Sequence, residues 1–350
     1  MKRLTRIILI AVLAAATLFG AVACAGGSGK TGDKGLLLKK FEGDDFYTVY
    51  GYVKEDGDSS VLDLVKAADG KEIGRIKDGA FKDDNFLTEI IVPATVKTID
   101  AGAFKNMRKL EKITLPFVGT SAKSDSYIGE TKKDEGKATD VNRVFCSVFG
   151  TEEYEDGASV TANYGSSTAT YYLPYTLREI TVTPATGTSY EIPAYAFSGI
   201  AMVSRYNLSE GVTAIGAYAF ENTGAEKISV TASLKNIYEY AFKGASKLKP
   251  INFTGVSLDK IGDHAFEGTV LPEIDVCVKE VGAYAFAGSS IAKATLRKTA
   301  DGKIVIGAWA FGGCEDLTLI SVEALRENVT LGVNALNGEQ DNAEIVKWGK

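Results

Sequence analysis

Few residues of this sequence have the chemistry that catalysis or metal binding requires. The 350-residue chain has one histidine, His264, and four cysteines. Asp263 precedes His264, and such a pair is one part of a Ser–His–Asp site. Cys146, Cys277 and Cys314 have spacings that fit neither a zinc site nor a disulfide framework. With no second histidine and no recurring acid pair, an enzyme is the least favoured function class, and neither a metal nor another cofactor is predicted.

Two short motifs resemble ligand sites but are incomplete. Gly29-Lys30-Thr31 matches the end of a phosphate-binding loop, yet the glycine required five positions earlier is replaced by Cys24. Asp56 and Asp58 have the carboxylates that Ca²⁺ prefers, but the rest of a calcium loop is missing. The first motif is therefore predicted to lie in a flexible tether, and the two aspartates in a turn.

A repeat fixes the place of His264 in the chain. An aliphatic residue recurs five positions before phenylalanine, in the pairs Ile76/Phe81, Ile99/Phe104, Val144/Phe149, Ile192/Phe197, Ile215/Phe220, Ile237/Phe242, Ile261/Phe266, Val281/Phe286, Ile306/Phe311 and the less regular Leu331/Leu336. Two positions before the phenylalanine stand flat side chains: Tyr195, Tyr218, Tyr240, His264, Tyr284 and Trp309. His264 is thus predicted to belong to a stacked aromatic column that stabilises successive repeats. Binding of sugar rings or of a protein is the alternative role for this column.

A second apolar pattern follows the phenylalanine. One copy consists of Leu110, Ile113 and Leu115, and others are Leu87/Ile90/Val92, Leu177/Ile180/Val182, Leu248/Ile251/Phe253, Leu271/Ile274/Val276 and Leu317/Ile320/Val322. The last two members alternate as one face of a β-strand does. Because one such strand cannot bury its own face, the repeats are predicted to stack as one solenoid with a parallel sheet. Phe104, Phe220, Phe242 and Phe286 should then form one buried row.

The combined pattern resembles the BspA-type, or Treponema-type, leucine-rich repeats of bacteria. That repeat reads, loosely, I-x-x-x-A-F followed by L-x-x-I-x-L-P, and the matching residues are Ile99, Ala103, Phe104, Leu110, Ile113, Leu115 and Pro116. The resemblance covers residues 73–348. It implies an α/β-type repeat solenoid, with a parallel β-sheet on one face and short helical or irregular turns on the other. It also implies a cell-surface protein that attaches to host proteins or to other cells.

The N-terminus has the composition of a secretory signal. Three basic residues precede an uncharged run, 7–23, which ends at Ala21-Val22-Ala23-Cys24. A cysteine at the first mature position resembles bacterial lipoproteins, so Cys24 is the predicted lipidation site and its lipid is the predicted membrane anchor. The same segment also fits an ordinary signal peptidase. The net charge of −6 gives no indication of nucleic acid as a partner. Removing residues 1–23 would change this charge to −6 − 3 = −9, which argues against simple electrostatic binding to anionic lipid.

The predicted domain order follows from these patterns. It is a signal peptide at 1–23, a flexible tether at 24–40, an N-terminal cap at 41–72 and a leucine-rich-repeat solenoid at 73–350. Insertions at 117–142 and 150–174 interrupt the repeats. In a solenoid, insertions become loops on one face and often bind partners. Long surface loops also cost little stability, so the sequence leaves open whether these two bind or are idle.

The outward positions of the predicted strands form the candidate binding surface. The residues expected to contact a partner are Lys112, Thr114, Glu179, Thr181 and Arg205, with Tyr164 and Tyr172 of the second insertion as aromatic anchors. Their mixture of charge and hydroxyl groups favours an extracellular protein or another surface ligand. The predicted function is adhesion or protein–protein interaction at the cell envelope. The alternative is an envelope scaffold or a carbohydrate-binding lipoprotein that uses the aromatic column.

Overall fold

The computed structural model describes residues 35–121, 143–164, 167–336 and 345–349. The predicted signal peptide, Cys24 and residues 122–142 lie outside this part of the chain. The strands, in chain order, are β1 (Leu36–Lys39), β2 (Tyr47–Tyr52), β3 (Val61–Asp63), β4 (Ile73–Ile76), β5 (Glu89–Ile91), β6 (Thr98–Ile99), β7 (Lys112–Leu115), β8 (Gly157–Tyr164), β9 (Ser167–Pro174), β10 (Glu179–Val182), β11 (Tyr190–Ile192), β12 (Arg205–Leu208), β13 (Val212–Ile215), β14 (Lys227–Ser229), β15 (Asn236–Ile237), β16 (Ser257–Ile261), β17 (Glu273–Val281), β18 (Lys293–Arg297), β19 (Ile304–Ile306), β20 (Leu319–Val322), β21 (Val329–Leu331) and β22 (Val346–Trp348). The structure describes one short α-helix, α1 (Leu64–Ala67), and 3-10 turns at Phe145–Val148 and Arg326–Asn328.

Each regular coil of the solenoid has two strands, one on either side of an Ala-Phe turn. The strands that lead into the turn are here named approach strands: β4, β6, β11, β13, β15, β16, β19 and β21. The strands that follow the turn are named return strands: β5, β7, β10, β12, β14, β18, β20 and β22, with β3 beside β5. The long strand β17 serves as both, since its first half pairs with β18 and its last residues pair with β16 and β19.

Both sets of strands pair in parallel, so the solenoid has two parallel ladders, one of approach strands and one of return strands, where the sequence predicted one sheet. The aliphatic residues that precede the phenylalanines are in register from one approach strand to the next, as in Ile192↔Ile215, Ile237↔Ile261 and Ile306↔Leu331. The return strands are also in register, as in Ile113↔Ile180 and Ile180↔Tyr206. Antiparallel pairing occurs between β1 and β2 and between β8 and β9.

The short helices considered for the other face of the solenoid are not confirmed. In the Ala-Phe turns, some backbone N–H groups donate within their own coil and others donate to the next coil. The Phe220 N–H donates to Ala241 O of the next coil at 2.7 Å, and Phe242 repeats this bond to Ala265 O. The intervening N–H of Glu221 instead donates to Tyr218 O, three residues back in its own coil. An α-helix needs every N–H to bond within its own segment. Alternation of this kind therefore produces irregular turns that are hydrogen-bonded along the solenoid.

Each regular turn contains two positions with positive φ. One is two residues before the phenylalanine, where Tyr195, Tyr218, Tyr240, His264, Tyr284 and Trp309 have φ between 54° and 58°. The other is two residues after it, where Asn222 and Gly244 are examples. Left-handed backbone costs a non-glycine residue about 1–2 kcal/mol. The aromatic residues are therefore held in a conformation that they do not favour by themselves.

The phenylalanines form the continuous buried row that the sequence predicts. Phe104, Phe220, Phe242 and Phe286 are all 0% exposed. Phe242 has ring centroids 5.1 Å from Phe220 and 4.9 Å from Phe266. Where the coil of Val144 is irregular, Phe145 and Phe149 together continue the row from Phe104 to Phe197. The confirmed row links the coils through a single core.

The two predicted insertions contribute to the core as well as to the surface. The first begins with Phe117 and Val118, which are 1% and 2% exposed. The second contains the hairpin β8–β9, whose side chains Val160 and Leu173 are also buried. Alternating apolar residues give the hairpin one core-facing side. The part of 150–174 that the structure describes is therefore an ordered hairpin rather than an open loop.

One core position is occupied by a tyrosine whose hydroxyl has no hydrogen-bond partner among the described residues. Tyr206 on β12 is 0% exposed, and its ring packs 5.0 Å from Phe197 and from Phe220. An unpaired buried hydroxyl is destabilising. We expect Tyr206→Phe to raise the free energy of unfolding by about 1 kcal/mol in urea denaturation.

Tyr190 provides the matched control for Tyr206. Its hydroxyl is buried too, but it accepts a hydrogen bond from the Val118 N–H at 2.7 Å. Tyr190→Phe should therefore lower stability by about 1 kcal/mol, since it leaves that N–H without a partner. The same change in stability for both variants would contradict the assignment of Tyr206 as an unsatisfied group.

Candidate interaction surface

The return strands place the predicted contact residues side by side on the open face of their sheet. Glu179 lies between Lys112 and Arg205 in register, and Thr181 lies beside Thr114. These five side chains thus occupy the adjacent strands β7, β10 and β12. The first row extends to Glu89 and Lys227, and the second to Ile91, Asn207 and Ser229. The structure brings the five strand residues among the predicted contacts into one polar surface.

Charges on this surface are largely paired within it. Arg205 Nε is 2.9 Å from Glu179 Oε2, and Asn207 Nδ2 donates to Glu179 Oε1 at 2.9 Å. Lys112 Nζ is 4.0 Å from Glu89 Oε2, which is a looser pair. Exposed ion pairs contribute about 0–1 kcal/mol, so a partner's charges can exchange with them at little cost. Asn207 lies beside Thr181, at an outward position that the repeat alignment also gives, although it was not among the predicted contact residues.

The second insertion is tied to the coil that precedes Lys112. Glu155 Oε2 is 3.0 Å from Arg108 Nη1, and Glu152 pairs with Lys105. Tyr172 lies on β9 and is half-buried, with its N–H donating to Gly150 O at 3.2 Å. The Tyr164 side chain and the lipidation candidate Cys24 lie outside the described residues. Of the two proposed aromatic anchors, Tyr172 therefore has a described position, on an ordered hairpin.

The aromatic column is a face-to-face stack. Tyr218 lies 4.8 Å from Tyr195 and 4.7 Å from Tyr240, with interplanar angles of 2° and 9°. His264 continues the stack at 4.6 Å from Tyr240 and 5.0 Å from Tyr284. The prediction that His264 is one member of this column is confirmed. Because neighbouring rings cover both faces of Tyr218, Tyr240 and His264, a sugar could reach only their edges.

The contacts of His264 indicate a structural role rather than a catalytic one. Its Nδ1 is 3.0 Å from Glu267 Oε2, and the same carboxylate is 2.9 Å from Lys243 Nζ. Asp263 instead accepts a hydrogen bond from the Ala283 N–H at 2.8 Å. His264 and Asp263 therefore do not make the hydrogen bond of a catalytic triad. Burial raises the pKa of the Tyr218 hydroxyl above its ordinary value.

The described residues contain no cluster of three or more His, Cys, Asp or Glu side chains placed to hold a metal ion. Asp58 accepts hydrogen bonds from Tyr52 Oη at 2.7 Å and from the Glu55 N–H at 2.8 Å, which fits its predicted role in a turn. Burial raises the pKa of the Cys146 thiol to about 12, so this cysteine is a core residue and not a nucleophile. Within the described ranges, no helix has the length and apolar character needed to span a membrane.

Comparison with known proteins identifies the repeat. The family model of the BspA type leucine rich repeat region matches in six copies, over residues 69–131, 169–293 and 279–336. No curated protein matches the chain significantly. Similar solved structures include a leucine rich cell surface protein from Faecalibacterium prausnitzii (17% identity, 88% of this chain and 97% of that chain, TM-score 0.30). Others are the leucine rich repeat protein of T. pallidum (15%, 81% and 88%, 0.31) and the pneumococcal vaccine antigen PcpA (18%, 76% and 72%, 0.34).

The repeat model matches residues 69–131 and 169–336 of this chain. Its matched ranges include the regular coils, with their paired approach strands, stacked phenylalanines and return strands. Because the match extends over more than half of the sequence, the chain belongs to the BspA-type leucine-rich-repeat family.

Proposed function

We propose that the protein is a cell-surface binding protein whose partner is a protein that docks on the open face of β7, β10 and β12. The observation that carries this proposal is the row Lys112–Glu179–Arg205, in register on three adjacent strands of a rigid frame. Membership of a repeat family built for binding rather than for chemistry supports it. The hairpin beside this surface would enlarge the contact area, with Tyr172 as an aromatic anchor.

Reversing the charges of Lys112 and Arg205 together tests the binding surface. We expect Lys112→Glu/Arg205→Glu to weaken cell attachment by at least about tenfold, since each lost charge contact at an interface costs on the order of 1 kcal/mol or more. Folding should be unaffected, because side-chain exposures are 47% and 50%. Attachment of the mature chain to cells, measured by flow cytometry, gives the readout.

Lys279→Glu is a matched control for this charge reversal. Lys279 is equally exposed and also ion-paired, to Asp259 at 2.7 Å, but it lies on β17 rather than on this surface. Its reversal should leave attachment unchanged. If the control and the double variant attach alike, the proposed surface is not the one used. Deleting 122–142 while keeping the buried Phe117 and Val118 tests the first insertion.

We also propose that Cys24 is lipidated and that the mature protein is anchored to the cell envelope. The signal-like segment and the cysteine at the first mature position support this location. Radiolabelled fatty acid should be incorporated by the native protein and not by Cys24→Ser, and only the native protein should fractionate with membranes. A released protein with a free Cys24 thiol would instead support cleavage by an ordinary signal peptidase.

A further inference from the structure

Hydrogen bonding between the return strands stops at one place in the described chain. It runs without interruption from β3 to β14 and resumes from β17 to β22. Between them, residues Ile251–Phe253 occupy the place of a return strand, with Ile251 and Phe253 buried and Asn252 exposed. Yet no backbone hydrogen bond joins these three residues to β14 or to β17. We name this gap, comprising Pro250–Phe253 and the facing edge of Glu273–Val276, the seam.

Two prolines explain the seam. In six other coils, two successive N–H groups at the start of the return strand donate to one carbonyl of the preceding coil. Examples are Glu226 and Lys227 to Ser204 O, at 2.9 and 3.0 Å. Pro250 replaces the second of these donors in its coil, and Pro272 replaces the first in the next coil. Because proline has no N–H, the ladder loses a rung in each of two successive coils.

The seam opens on one side only. The approach strands of the same coils remain paired, since Asn236 faces Lys260 and Lys260 faces Glu280. On the return side, a groove of about 810 Å³ lies between Pro250–Ser257 and the outward side chains of β17 and β18. Within the described residues, the N–H groups of Ile251, Asn252 and Phe253 donate no hydrogen bond. Backbone groups without partners are the feature to which an added strand pairs.

Charges in the groove indicate the chemistry of its occupant. Arg297 is already paired with Asp275 at 2.6 Å and with Glu323 at 3.0 Å. Glu273 and Lys293 are exposed and adjacent in register, but neither has an ion-pair partner among the described residues. A ligand that offers both charge signs would suit this pair. A polypeptide can do so, whereas a neutral glycan or a polyanion cannot.

We propose that the seam is a strand-addition site for an extended polypeptide segment of mixed charge. The segment pairs through its main chain with Ile251–Phe253 and sets opposite charges against Glu273 and Lys293. This site is distant in sequence from the surface on β7, β10 and β12 and uses main-chain recognition rather than side chains alone. It is therefore a second interaction surface of the protein, and it does not depend on the first.

Amide hydrogen exchange of the mature chain tests the seam before any ligand is added. The amides of Ile251–Phe253 should exchange faster than the amide of Ile320, which lies at the matching place on the paired strand β20 and donates to Ile345 O of the next coil at 2.7 Å. Equal protection would mean that the gap is closed in solution, and this result would overturn the proposal.

The binding test uses a random-sequence linear peptide library displayed on phage, selected against the mature chain. Pro250→Ala/Pro272→Ala restores two donors and should close the seam, which would weaken the selected peptides by at least about tenfold, as expected for losing one or two hydrogen bonds. Glu273→Lys/Lys293→Glu should weaken them similarly without altering the backbone. Thermal melting of each variant verifies that it is folded.

Lys112→Glu/Arg205→Glu is the control that separates the two surfaces. It should leave the selected peptides bound, so that failure at one surface is not mistaken for failure at the other. Peptides with N-methyl groups at alternate residues should lose binding, because they cannot pair as a strand. The proposal is overturned if no peptide is selected, if the seam variants bind equally well, or if only glycans bind at these residues.

Discussion

Phe242→Ala is expected to lower the free energy of unfolding by about 3–5 kcal/mol, the usual cost of truncating a buried phenylalanine. Phe242 is 0% exposed, and its ring stacks between Phe220 and Phe266. The substitution removes apolar contacts with both neighbouring coils and leaves a cavity that stacked coils cannot easily close. Urea denaturation followed by circular dichroism would measure the loss.

Phe41→Ala provides a control for the truncation itself. Phe41 is 40% exposed, so its removal should change stability by much less. Because a solenoid is held together by contacts between neighbouring coils, damage at Phe242 should also make unfolding less cooperative. A loss at Phe242 no larger than that at Phe41 would contradict the continuous core.

The second large effect is expected from the aromatic column. Replacing Tyr218, Tyr240 and Tyr284 together by alanine removes four stacked ring pairs, those between Tyr195 and Tyr218, Tyr218 and Tyr240, Tyr240 and His264, and His264 and Tyr284. At about 0.5–1.5 kcal/mol for each pair, stability should fall by about 2–6 kcal/mol. Thermal and urea unfolding, together with binding to a glycan array, would measure both roles considered for the column.

Glycine at the same three positions is the matched variant. The glycine variant also lacks the rings, but glycine accepts the positive φ that alanine tolerates poorly. Its loss of stability should therefore be smaller than that of the alanine variant by about 1 kcal/mol at each site. Equal losses would mean that the backbone of the turns relaxes. Loss of glycan binding by a fully stable variant would support the carbohydrate alternative, against the structural role that the covered ring faces indicate.

The repeated side chains made most of the solenoid predictable. A fixed offset between Ile237 and Phe242, repeated along the chain, requires each side chain to meet its counterpart in the next coil, so the buried row followed directly. The offset of His264 placed it in the column by the same argument. The parallel ladder of approach strands was missed because strands such as β6 and β15 are only two residues long and show no alternation.

Other features were not predicted because the residues at those positions are more typical of a different local structure. Tyrosine gives no hint of positive φ, although Gly79 and Gly102 at the same offset in earlier coils were a usable signal. In the hairpin β8–β9, the alternation of Val160 with Ala162 was obscured by polar neighbours that suggested a loop. The register of the repeats predicted that Lys112, Glu179 and Arg205 would lie together. The chemistry of the molecule that binds them is a property of that molecule, so this sequence does not encode it.

The turn geometry also makes each coil a unit that can be removed from the chain or added to it. Ile215 and Ile237 occupy the same place in successive coils, and the turns that follow them make the same bonds to the next coil. Removing residues 216–237 would join Ile215 directly to Tyr238 and bring the two flanking coils into contact through matching groups. The molecule would shorten by the ~4.8 Å that separates paired strands, while the approach strands stayed continuous there and β12 took the place of β14 beside the seam. Its length, and with it the reach of its binding surfaces, can therefore change in whole-coil steps without a new fold.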